Sequence, residues 1–278
     1  MSKVWFITGA GSGIGAGTAI AALKAGDRVA ATGRNLDKLR KAFAGLGGDN
    51  LALVQLDISQ AQQAQAAVDG ALKRFGRIDV LVNNAGYSLL GNFEELAVED
   101  IESQFATNFY GAVHLMRAVL PVMRQQRAGR ILNVSSLAGL VGFKHCAAYG
   151  ATKFAVEGLS LAIATEVAQF GIKVTVVEPG FFRTDLLDAN NVRWSSRPIS
   201  DYAAEGSTPD LWSGYHGGQP GDPAKLGEVM VKLAKMQDPP KQFLAGSDAV
   251  GLVAPALSAR LEEFQRYQEL SKSTDGAF

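Results

Sequence analysis

Residues 4–15, which read VWFITGAGSGIG, decide the fold of this chain. The first four residues form a short apolar run of the kind found in buried strands. The glycines at positions 9, 11, 13 and 15 allow a tight turn and let a ligand approach the backbone closely. A helix that begins at this turn points free N–H groups into it, where they favour a phosphate. The stretch therefore predicts a strand, a pyrophosphate-binding loop and a helix; the alternative is a glycine turn that binds nothing.

The same alternation of strand and helix continues along the chain. Short apolar runs rich in β-branched residues are separated by longer helical segments, several of which follow capping residues such as Asn35 and Ser59. Parallel strands joined by right-handed helical crossovers form a doubly wound sheet. The sequence therefore predicts an α/β protein of the Rossmann type, with a doubly wound parallel sheet of about seven strands and helices on both faces. The predicted strands cover residues 4–8, 28–32, 51–55, 78–82, 130–135, 172–177 and 242–245, and the predicted helices lie near 13–25, 35–45, 59–75, 99–127, 147–169, 223–236 and 256–272.

The composition is that of a globular protein and excludes several other classes. Of the 278 residues, 47% are apolar and 19% are charged, and no linker divides them, so we predict one domain over residues 1–278. Lysine plus arginine and aspartate plus glutamate number 27 each, which argues against nucleic acid as a partner. One cysteine and three scattered histidines predict neither a disulfide nor a metal site. The longest uncharged stretch is rich in glycine, so we expect no membrane span, no signal peptide and a cytoplasmic location.

Two segments depart from the strand–helix rhythm. Residues 186–223 are rich in turn-forming residues, and a loop of this length inside a compact domain is usually functional. We predict that this segment is a substrate loop or lid. Residues 250–278 follow the last predicted strand and are predicted to form a C-terminal helical extension. The large aromatic side chains of the lid, which either line a substrate pocket or only pin the loop to the domain, are Trp194, Tyr202, Trp212 and Tyr215.

The end of the second predicted strand bears on the choice of cofactor. NAD-binding proteins of this fold usually carry an acidic residue about 20 residues after the glycine loop, where it binds the ribose 2′-hydroxyl. This chain has Gly33 and Arg34 there, and a guanidinium suits a 2′-phosphate and offers a planar face to adenine. Asp37 is the only carboxylate nearby, in the first turn of the next helix, where an acid is favourable for the dipole. We therefore predict an NAD(P)-binding domain that prefers NADP(H) over NAD(H); a solvated Arg34 is the alternative.

Tyr149 and Lys153 are four residues apart in a predicted helix, so both side chains lie on one face, one turn apart. A nearby ammonium favours the phenolate and lowers the pKa of a tyrosine from its ordinary value of about 10. Bringing that pKa close to neutrality requires roughly 4 kcal/mol, at about 1.4 kcal/mol for each pKa unit. The pair alone fits a proton-transfer site, and it also fits an ordinary amphipathic helix.

Other polar motifs accompany this pair in a fixed order. Some close the fourth and fifth predicted strands, and one asparagine interrupts an apolar helix, where it is a poor helix former. Together the motifs resemble the short-chain dehydrogenase/reductase family, over residues 3 to about 250. The residues that carry the resemblance are Thr8, Gly9, Gly13, Ile14, Gly15, Asp57, Asn83, Asn84, Ala85, Gly86, Asn108, Ser136, Tyr149, Lys153, Pro179 and Gly180.

The resemblance implies a catalytic set of four residues. Tyr149 is expected to exchange a proton with the substrate oxygen, and Ser136 is expected to hold or polarise that oxygen. Ser135 is the alternative serine, although the family's spacing to the tyrosine favours Ser136. Lys153 is expected to hold the nicotinamide ribose and to lower the pKa of Tyr149. Asn108 is expected to anchor a water that links Lys153 to solvent.

The resemblance also implies contacts with the cofactor. Asp57 and Ile58 are expected to contact adenine, Asn84 to lie on the ribose side, and Thr184 to meet the nicotinamide carboxamide. Asp57 also fits a helix-capping acid, and Thr184 also fits an ordinary loop residue. The residues expected to bind the cofactor are Gly9, Ser12, Gly13, Ile14, Gly15, Arg34, Asp57, Ile58, Asn84, Ala85, Gly86, Tyr149, Lys153, Pro179, Gly180 and Thr184.

These observations predict an NADP(H)-dependent oxidoreductase that interconverts a hydrophobic ketone or aldehyde and its alcohol by hydride transfer. The aromatic lid favours an apolar substrate, while Arg193 and Arg197 leave an acidic one open. His145 and Cys146 are interpreted as pocket-wall residues. The family resemblance implies a homodimer or homotetramer assembled through the long helices. The alternatives are a non-catalytic sensor or scaffold that binds the cofactor, and an isomerase or lyase of the extended relatives.

Overall fold

A computed structural model of the chain describes residues 2–188 and 191–276. Its strands are β1 (Val4–Ile7), β2 (Arg28–Gly33), β3 (Leu51–Gln55), β4 (Val80–Asn83), β5 (Leu89–Leu90), β6 (Gly129–Val134), β7 (Ile172–Pro179), β8 (Arg193–Trp194) and β9 (Gln242–Ala245). Its α-helices are α1 (Gly13–Lys24), α2 (Leu36–Ala42), α3 (Ala61–Phe75), α4 (Val98–Phe105), α5 (Gly111–Gln126), α6 (Ala147–Val167), α7 (Thr208–Ser213), α8 (Pro223–Lys235), α9 (Ser247–Arg266) and α10 (Gln268–Lys272).

Seven of these strands form one sheet in the order β3-β2-β1-β4-β6-β7-β9, and all neighbouring pairs are parallel. The chain runs outward from β1 to β3 and then crosses back to β4 on the other side of β1. This reversal opens a crevice at the carboxyl ends of β1 and β4, where sheets of this type bind ligands. The predicted doubly wound parallel sheet is confirmed.

Successive residues of β1 face opposite sides of the sheet and enter two separate cores. Val4 and Phe6 are fully buried with side chains of α3 and α5, whereas Trp5 and Ile7 are fully buried with side chains of α1, α2 and α8. Burial on both faces explains why the strand reads as a continuous apolar run. Helices therefore cover both faces of the sheet, as predicted.

The predicted helix near 99–127 is not continuous. A π-helical turn, Ala106–Tyr110, separates α4 from α5, and Asn108 lies inside it. The Asn108 amide is bonded to the backbone of Tyr87, in the connection between β4 and β5. Single π-helical turns occur mostly at functional sites. The prediction missed this turn because the contact that stabilises it joins residues far apart in the sequence.

The predicted start of the last helix, near residue 256, was wrong. Helix α9 begins at Ser247, directly after β9, and Pro255 lies within it. Ala249 and Val253 are fully buried against Leu137 and its neighbours, which holds the first turns in place. Gly251 and Pro255 disfavour a helix locally, but this burial outweighs them. The extension therefore starts before residue 250, and residues 277–278 lie outside the described residues.

The segment predicted as a lid contains β8 and α7 as well as short turns. Its strand pairs with β5 in a two-stranded parallel sheet, and an isolated bridge joins Phe182 to Gly221 at its base. Residues 189–190 of this segment lie outside the described residues. Among the residues that are described, no helix has both the length and the apolar character needed to cross a membrane.

Candidate active site

A cavity of about 420 Å³ opens at the carboxyl ends of the strands. It is lined by residues that directly follow β1, β2, β3, β4, β6 and β7, because parallel strands present those ends at one edge of the sheet. Every residue expected in the catalytic or cofactor-binding sets lines this cavity except Gly15 and Asn108. The structure therefore brings together residues that are up to 175 positions apart in the chain, from Gly9 to Thr184.

The glycine loop combines positive backbone φ angles with close packing. Gly9 and Gly13 have φ values of +63° and +55°, which favour glycine. A Cβ on Gly15 would lie 2.4 Å from the carbonyl oxygen of Gly9, so Gly15 acts through packing and does not itself line the cavity. Ser12 caps α1 without a side-chain hydrogen bond to its backbone, and the first turn has no acidic residue. The N–H groups at this helix end are therefore available to an anion.

Thr8 and Asn84 hold the loop against the neighbouring strand. The Thr8 hydroxyl oxygen accepts hydrogen bonds from the backbone N–H groups of Asn84 (2.9 Å) and Ala85 (3.1 Å). The Asn84 amide donates in return to the carbonyl of Thr8 at 3.0 Å. Asn83 performs a different task, because its amide donates to Asn133 on β6 and ties the two strands together. The loop is thus fixed in shape by its own neighbours.

No acidic residue occupies the end of β2. Arg34 is exposed and lines the cavity. Its hydrogen bond with Gln55 is made by the backbone carbonyl, at 3.1 Å, so the guanidinium takes no part in that bond. Asp57 caps the following turn, since its carboxylate accepts from the Ser59 N–H at 3.0 Å and from the Ser59 hydroxyl at 2.8 Å. These bonds close a turn and do not cap helix α3, whose N-terminal cap is Gln60, and the expected contact of Asp57 with adenine stays a prediction.

Helix α6 carries the tyrosine–lysine pair into the cavity. Tyr149 and Lys153 are 8% and 6% exposed, and the Lys153 ammonium lies 5.5 Å from the centre of the Tyr149 ring. The ammonium donates a hydrogen bond of 3.0 Å to the carbonyl oxygen of Val134, the last residue of β6. This bond locks the lysine between helix and sheet and fixes its distance from the tyrosine.

The electrostatics of the pair differ from the expectation. Burial raises the pKa of Tyr149 to about 12, while a hydrogen bond with Ser136 acts in the opposite direction. Burial lowers the pKa of Lys153 to about 8, and the charge of Glu157 opposes that shift. The expected lowering of the tyrosine pKa by Lys153 is absent in the protein alone, because desolvation of the phenol dominates. At neutral pH Tyr149 is therefore a protonated phenol that can donate a proton.

The two serines that directly follow β6, Ser135 and Ser136, point to different surroundings. Ser136 is hydrogen-bonded to Tyr149, and its oxygen also accepts from the backbone N–H of Ala138 at 3.2 Å. Ser135 is 3% exposed; its hydroxyl donates to the carbonyl oxygen of Lys153 at 3.5 Å and is hydrogen-bonded to Glu157. Side chains alternate along a strand, which explains the difference. The geometry favours Ser136 as the serine that acts with Tyr149.

Asn108 lies behind the cavity wall. Its amide donates to the Tyr87 carbonyl at 2.9 Å and to the Thr152 hydroxyl at 3.3 Å, and its oxygen accepts from the Tyr87 N–H at 3.1 Å. These bonds connect the π-helical turn to α6 next to Lys153. These hydrogen bonds all join the Asn108 side chain to other groups of the protein. The expected water link from Asn108 to Lys153 stays a prediction.

The loop after β7 depends on a residue that the sequence analysis missed. Asp248, in the first turn of α9, accepts a 2.6 Å hydrogen bond from the N–H of Phe181. A Cβ on Gly180 would lie 2.4 Å from this carboxylate, so a glycine is required at this close approach. Thr184 lies against Gly13 of the glycine loop and caps a short turn through Leu186. Its expected contact with the carboxamide stays a prediction.

The lid packs onto the segment before α6. Trp212 donates a hydrogen bond of 3.2 Å from its indole to His145, whose φ is +65°. Cys146 is buried with Leu90 and Val192, and burial raises the pKa of its thiol to about 12. A thiol of this kind is an apolar wall residue and not a reactive thiolate. Cys146 lines the cavity as interpreted, whereas His145 is not among the lining residues and contacts Trp212 of the lid.

A buried carboxylate anchors the lid from outside the predicted site. Glu95 is 7% exposed and accepts hydrogen bonds from the N–H of Ile199 (2.9 Å) and the amide of Asn92 (3.0 Å). The bond from Ile199 lowers the pKa of Glu95 below its ordinary value of 4.5. Tyr202 of the lid is hydrogen-bonded to the adjacent Glu94. The segment over the cavity is therefore held in place by charge-assisted hydrogen bonds.

Replacing Glu95 by alanine should loosen the lid. The Ile199 N–H would lose its acceptor, which costs about 1–3 kcal/mol of unfolding free energy. Limited proteolysis should then cut within residues 195–221 faster than in wild type, while the exposed control Glu99→Gln should not change the rate. Because the folded pKa lies below the ordinary value, the anchor is intact at neutral pH and is lost as the pH falls through the folded pKa. Unchanged cleavage in Glu95→Ala would contradict the anchoring role.

No group of three or more histidine, cysteine, aspartate or glutamate side chains that could hold a metal occurs among residues 2–188 and 191–276.

A parallel sheet with a glycine loop at its crevice and a buried tyrosine–lysine pair defines a dinucleotide-binding oxidoreductase of the Rossmann type. The profile of the short chain dehydrogenase family matches residues 3–193. The chain belongs to this family, and it is a short-chain dehydrogenase/reductase that acts on CH–OH groups.

Individual proteins support this assignment over almost the whole chain. A short-chain dehydrogenase from Streptomyces avermitilis superposes with a TM-score of 0.91 at 37% identity, covering 99% of this chain and 100% of that one. A 3-ketodihydrosphingosine reductase from Bacteroides thetaiotaomicron is 34% identical over 275 residues, which is 95% of this chain and 96% of the relative. ElxO, solved with NADP bound, has a TM-score of 0.73 at 31% identity, and the match covers 88% of this chain and 96% of ElxO.

Proposed function

We propose that this oxidoreductase reduces a hydrophobic ketone or aldehyde to its alcohol with NADPH, and that Tyr149 is the general acid. The observation that carries the proposal is the pair formed by a protonated, buried Tyr149 and Ser136, which face the cavity together. A phenol whose pKa lies above neutrality is set to give a proton to a developing alkoxide.

The residues around the cavity fit a nicotinamide dinucleotide. Positive φ angles at Gly9 and Gly13 and the free N–H groups of α1 form a cradle for a pyrophosphate. Arg34 stands where NAD-binding proteins of this fold carry an acid, which favours a 2′-phosphate over a free hydroxyl. ElxO, a member of the same fold, was solved with NADP bound. The glycine loop and ElxO support a nicotinamide dinucleotide, and Arg34 is the feature that favours NADP(H) over NAD(H).

The chemistry then divides between cofactor and protein. A bound nicotinamide supplies the hydride that goes to the carbonyl carbon. Ser136 holds the carbonyl oxygen through its hydroxyl, and Tyr149 donates its proton to that oxygen as negative charge develops. Lys153, anchored on Val134, places a positive charge 5.5 Å from the Tyr149 ring and stabilises the phenolate that remains. Tyr149 regains its proton from solvent before the next turnover.

The part of the cavity beyond these residues is largely apolar. Leu90, Phe143, Val192 and Trp212 line it, and apolar walls with few polar groups suit a hydrophobic substrate. The guanidinium carbon of Arg193 lies 4.8 Å from the centre of the Tyr87 ring, so the two side chains form a cation–π contact. Arg197 is exposed and lies outside the cavity lining. The relative from Bacteroides thetaiotaomicron is named for the reduction of a ketone. These observations favour a neutral ketone over a carboxylated one.

Cofactor binding and turnover can be tested together. Purified protein is titrated with NADPH and with NADH by nicotinamide fluorescence, and neutral and carboxylated ketones and aldehydes are then added. We expect tighter binding of NADPH, followed by its oxidation with neutral hydrophobic carbonyls. Preference for the carboxylated substrates would contradict the apolar pocket. Binding without any oxidation across the panel would contradict the reductase and favour a cofactor-binding sensor.

The proposal includes a cytoplasmic homodimer or homotetramer. Tyr110, beside α5, and Phe154, on α6, are 52% and 41% exposed on the long helices that the family resemblance names as the interface. Exposed aromatic side chains of this kind are enriched at protein–protein interfaces. The free thiol of Cys146 agrees with a reducing compartment.

A further inference from the structure

Two buried glutamates lie behind the tyrosine–lysine pair, away from the cavity. Glu157 follows Lys153 by one helical turn, so Tyr149, Lys153 and Glu157 share one face of α6. Glu178 lies near the end of β7 and meets Glu157 across the helix–sheet boundary. The two glutamates are 5% and 1% exposed, although buried acids are rare without a partner.

One amide serves both carboxyl groups. Gln242 on β9 donates to Glu157 at 3.2 Å and to Glu178 at 3.0 Å through the same nitrogen. Because both carboxyl oxygens lie within hydrogen-bond distance of one nitrogen, the two carboxyl groups are close neighbours. Two negative charges so close together in a buried site disfavour each other, so the loss of a proton from one carboxyl opposes its loss from the other. The geometry is therefore that of a close, buried carboxyl pair.

The surroundings of this pair define which charges act on it. Lys153 faces Glu157 from the same helix, Glu178 faces it from β7, and the uncharged Gln242 and Ser135 face it from β9 and the end of β6. Burial is the largest cause that raises the pKa of both glutamates. Glu157 is the charged side chain that opposes the loss of the Lys153 proton. Burial favours the neutral amine of Lys153, and the charge of Glu157 acts against that effect.

We propose that Glu157 and Glu178 share one proton, and that the single negative charge left on the pair keeps Lys153 protonated beside Tyr149. Both glutamates are positioning residues, because they act on the reaction through Lys153. The catalytic consequence rests on the proposed function, whereas the shared proton is a property of the protein alone. Nothing in this arrangement requires bound cofactor.

Two isosteric substitutions should have opposite effects on Lys153. Glu157→Gln removes the negative charge, so Lys153 should lose its proton at a pH lower than wild type by about one unit. Glu178→Gln removes the competing acid, so Glu157 ionises fully and Lys153 should keep its proton to a higher pH. A purely structural pair would give two changes in the same direction. The exposed Glu166→Gln, on the same helix, is the matched control and should change nothing.

The shared proton is measured on protein without cofactor. Infrared spectroscopy of wild type should show the carbonyl stretch of a protonated carboxyl at neutral pH, which disappears on alkaline titration and is absent in Glu178→Gln. Nitrogen-15 NMR of labelled lysine then follows the Lys153 titration in wild type and the three variants. Thermal unfolding establishes that each variant is folded; if one is not, the wild-type infrared titration still decides the shared proton.

The results separate this inference from the proposed function. Absence of the carboxyl band at neutral pH would overturn the shared proton, whatever the activity. A shift of the Lys153 titration in the same direction in both variants would overturn the control of its charge by Glu157. Failure of wild type to oxidise NADPH with any carbonyl would overturn only the proposed function. With an active enzyme, the alkaline limit of turnover should move down in Glu157→Gln and up in Glu178→Gln.

Discussion

Replacing Tyr149 by phenylalanine is expected to lower the rate of carbonyl reduction by about 10²–10⁴-fold, the range typical for loss of a general acid. The substitution removes the hydroxyl that is hydrogen-bonded to Ser136 and keeps the ring that packs beside Lys153. The Lys153 ammonium keeps its bond to Val134, so the cofactor side of the site retains its shape. Affinity for NADPH should therefore stay as in wild type.

The measurement is single-turnover reduction of a neutral ketone, with NADPH affinity determined in parallel by fluorescence. Tyr110→Phe serves as the control, because Tyr110 is 52% exposed and lies outside the cavity lining. A loss of turnover accompanied by an equal loss of NADPH binding would indicate damage to the cofactor site. Turnover within the wild-type range would reject Tyr149 as the proton donor and return attention to Ser136 or a bound water.

The sheet was predictable because local and global signals agree along it. Each strand of the main sheet reads as a short apolar run, and burial on both faces removes the need for alternation. The glycines after β1 then indicate where the ligand crevice lies. All loops that follow the strands of a parallel sheet lie at the same edge, and ligands bind at that edge. The positions of Tyr149 and Lys153 on one helix face follow from helical geometry alone. These parts of the site depend on residues that are close in sequence.

The parts that the sequence did not predict depend on contacts between distant residues. Glu95 reads as one acid in a polar segment, and only its bond to Ile199, 104 positions away, shows that it anchors the lid. Glu178 reads as an ordinary strand residue until the structure places it beside Glu157. The signal in the sequence is an acidic residue within a strand that is otherwise mostly apolar. Because buried acids require partners, such a residue predicts that a partner lies nearby.

The electrostatic state of the site also required the structure. A lysine one turn from a tyrosine suggests a lowered tyrosine pKa, yet burial raises the pKa of Tyr149 to about 12. The spacing of Tyr149 and Lys153 in the sequence shows that the two side chains are close. The desolvation of the phenol depends on how much of the folded chain packs over it, which the sequence does not show. For the two adjacent serines, the family's spacing to the tyrosine already favours Ser136 from the sequence. The structure adds the contacts, because Ser136 meets Tyr149 whereas Ser135 meets Glu157.

Replacing Arg34 by aspartate should reverse the cofactor preference. A charge-assisted hydrogen bond is worth about 1.5–3 kcal/mol, and each 1.4 kcal/mol is a tenfold change in Kd, so NADPH affinity should fall by about 10–100-fold. Repulsion between the new carboxylate and a 2′-phosphate adds to this loss. NADH has no 2′-phosphate, and an aspartate at this position can accept a hydrogen bond from its ribose hydroxyl. Affinity for NADH should therefore be unchanged or increase.

The control carries the same change of charge outside the cavity. Arg40 lies on α2, is paired with Asp37 at 2.7 Å and does not line the cavity, so Arg40→Asp should leave both affinities unchanged. Fluorescence titrations with NADPH and NADH compare the two variants with wild type. An equal loss for both cofactors in Arg34→Asp would mean that the guanidinium packs on adenine and reads no phosphate. An unchanged ratio would mean that Arg34 does not contact the 2′-phosphate, and a preference for NADP(H) would then need another cation, such as Lys38, whose side chain lies beside Gly11.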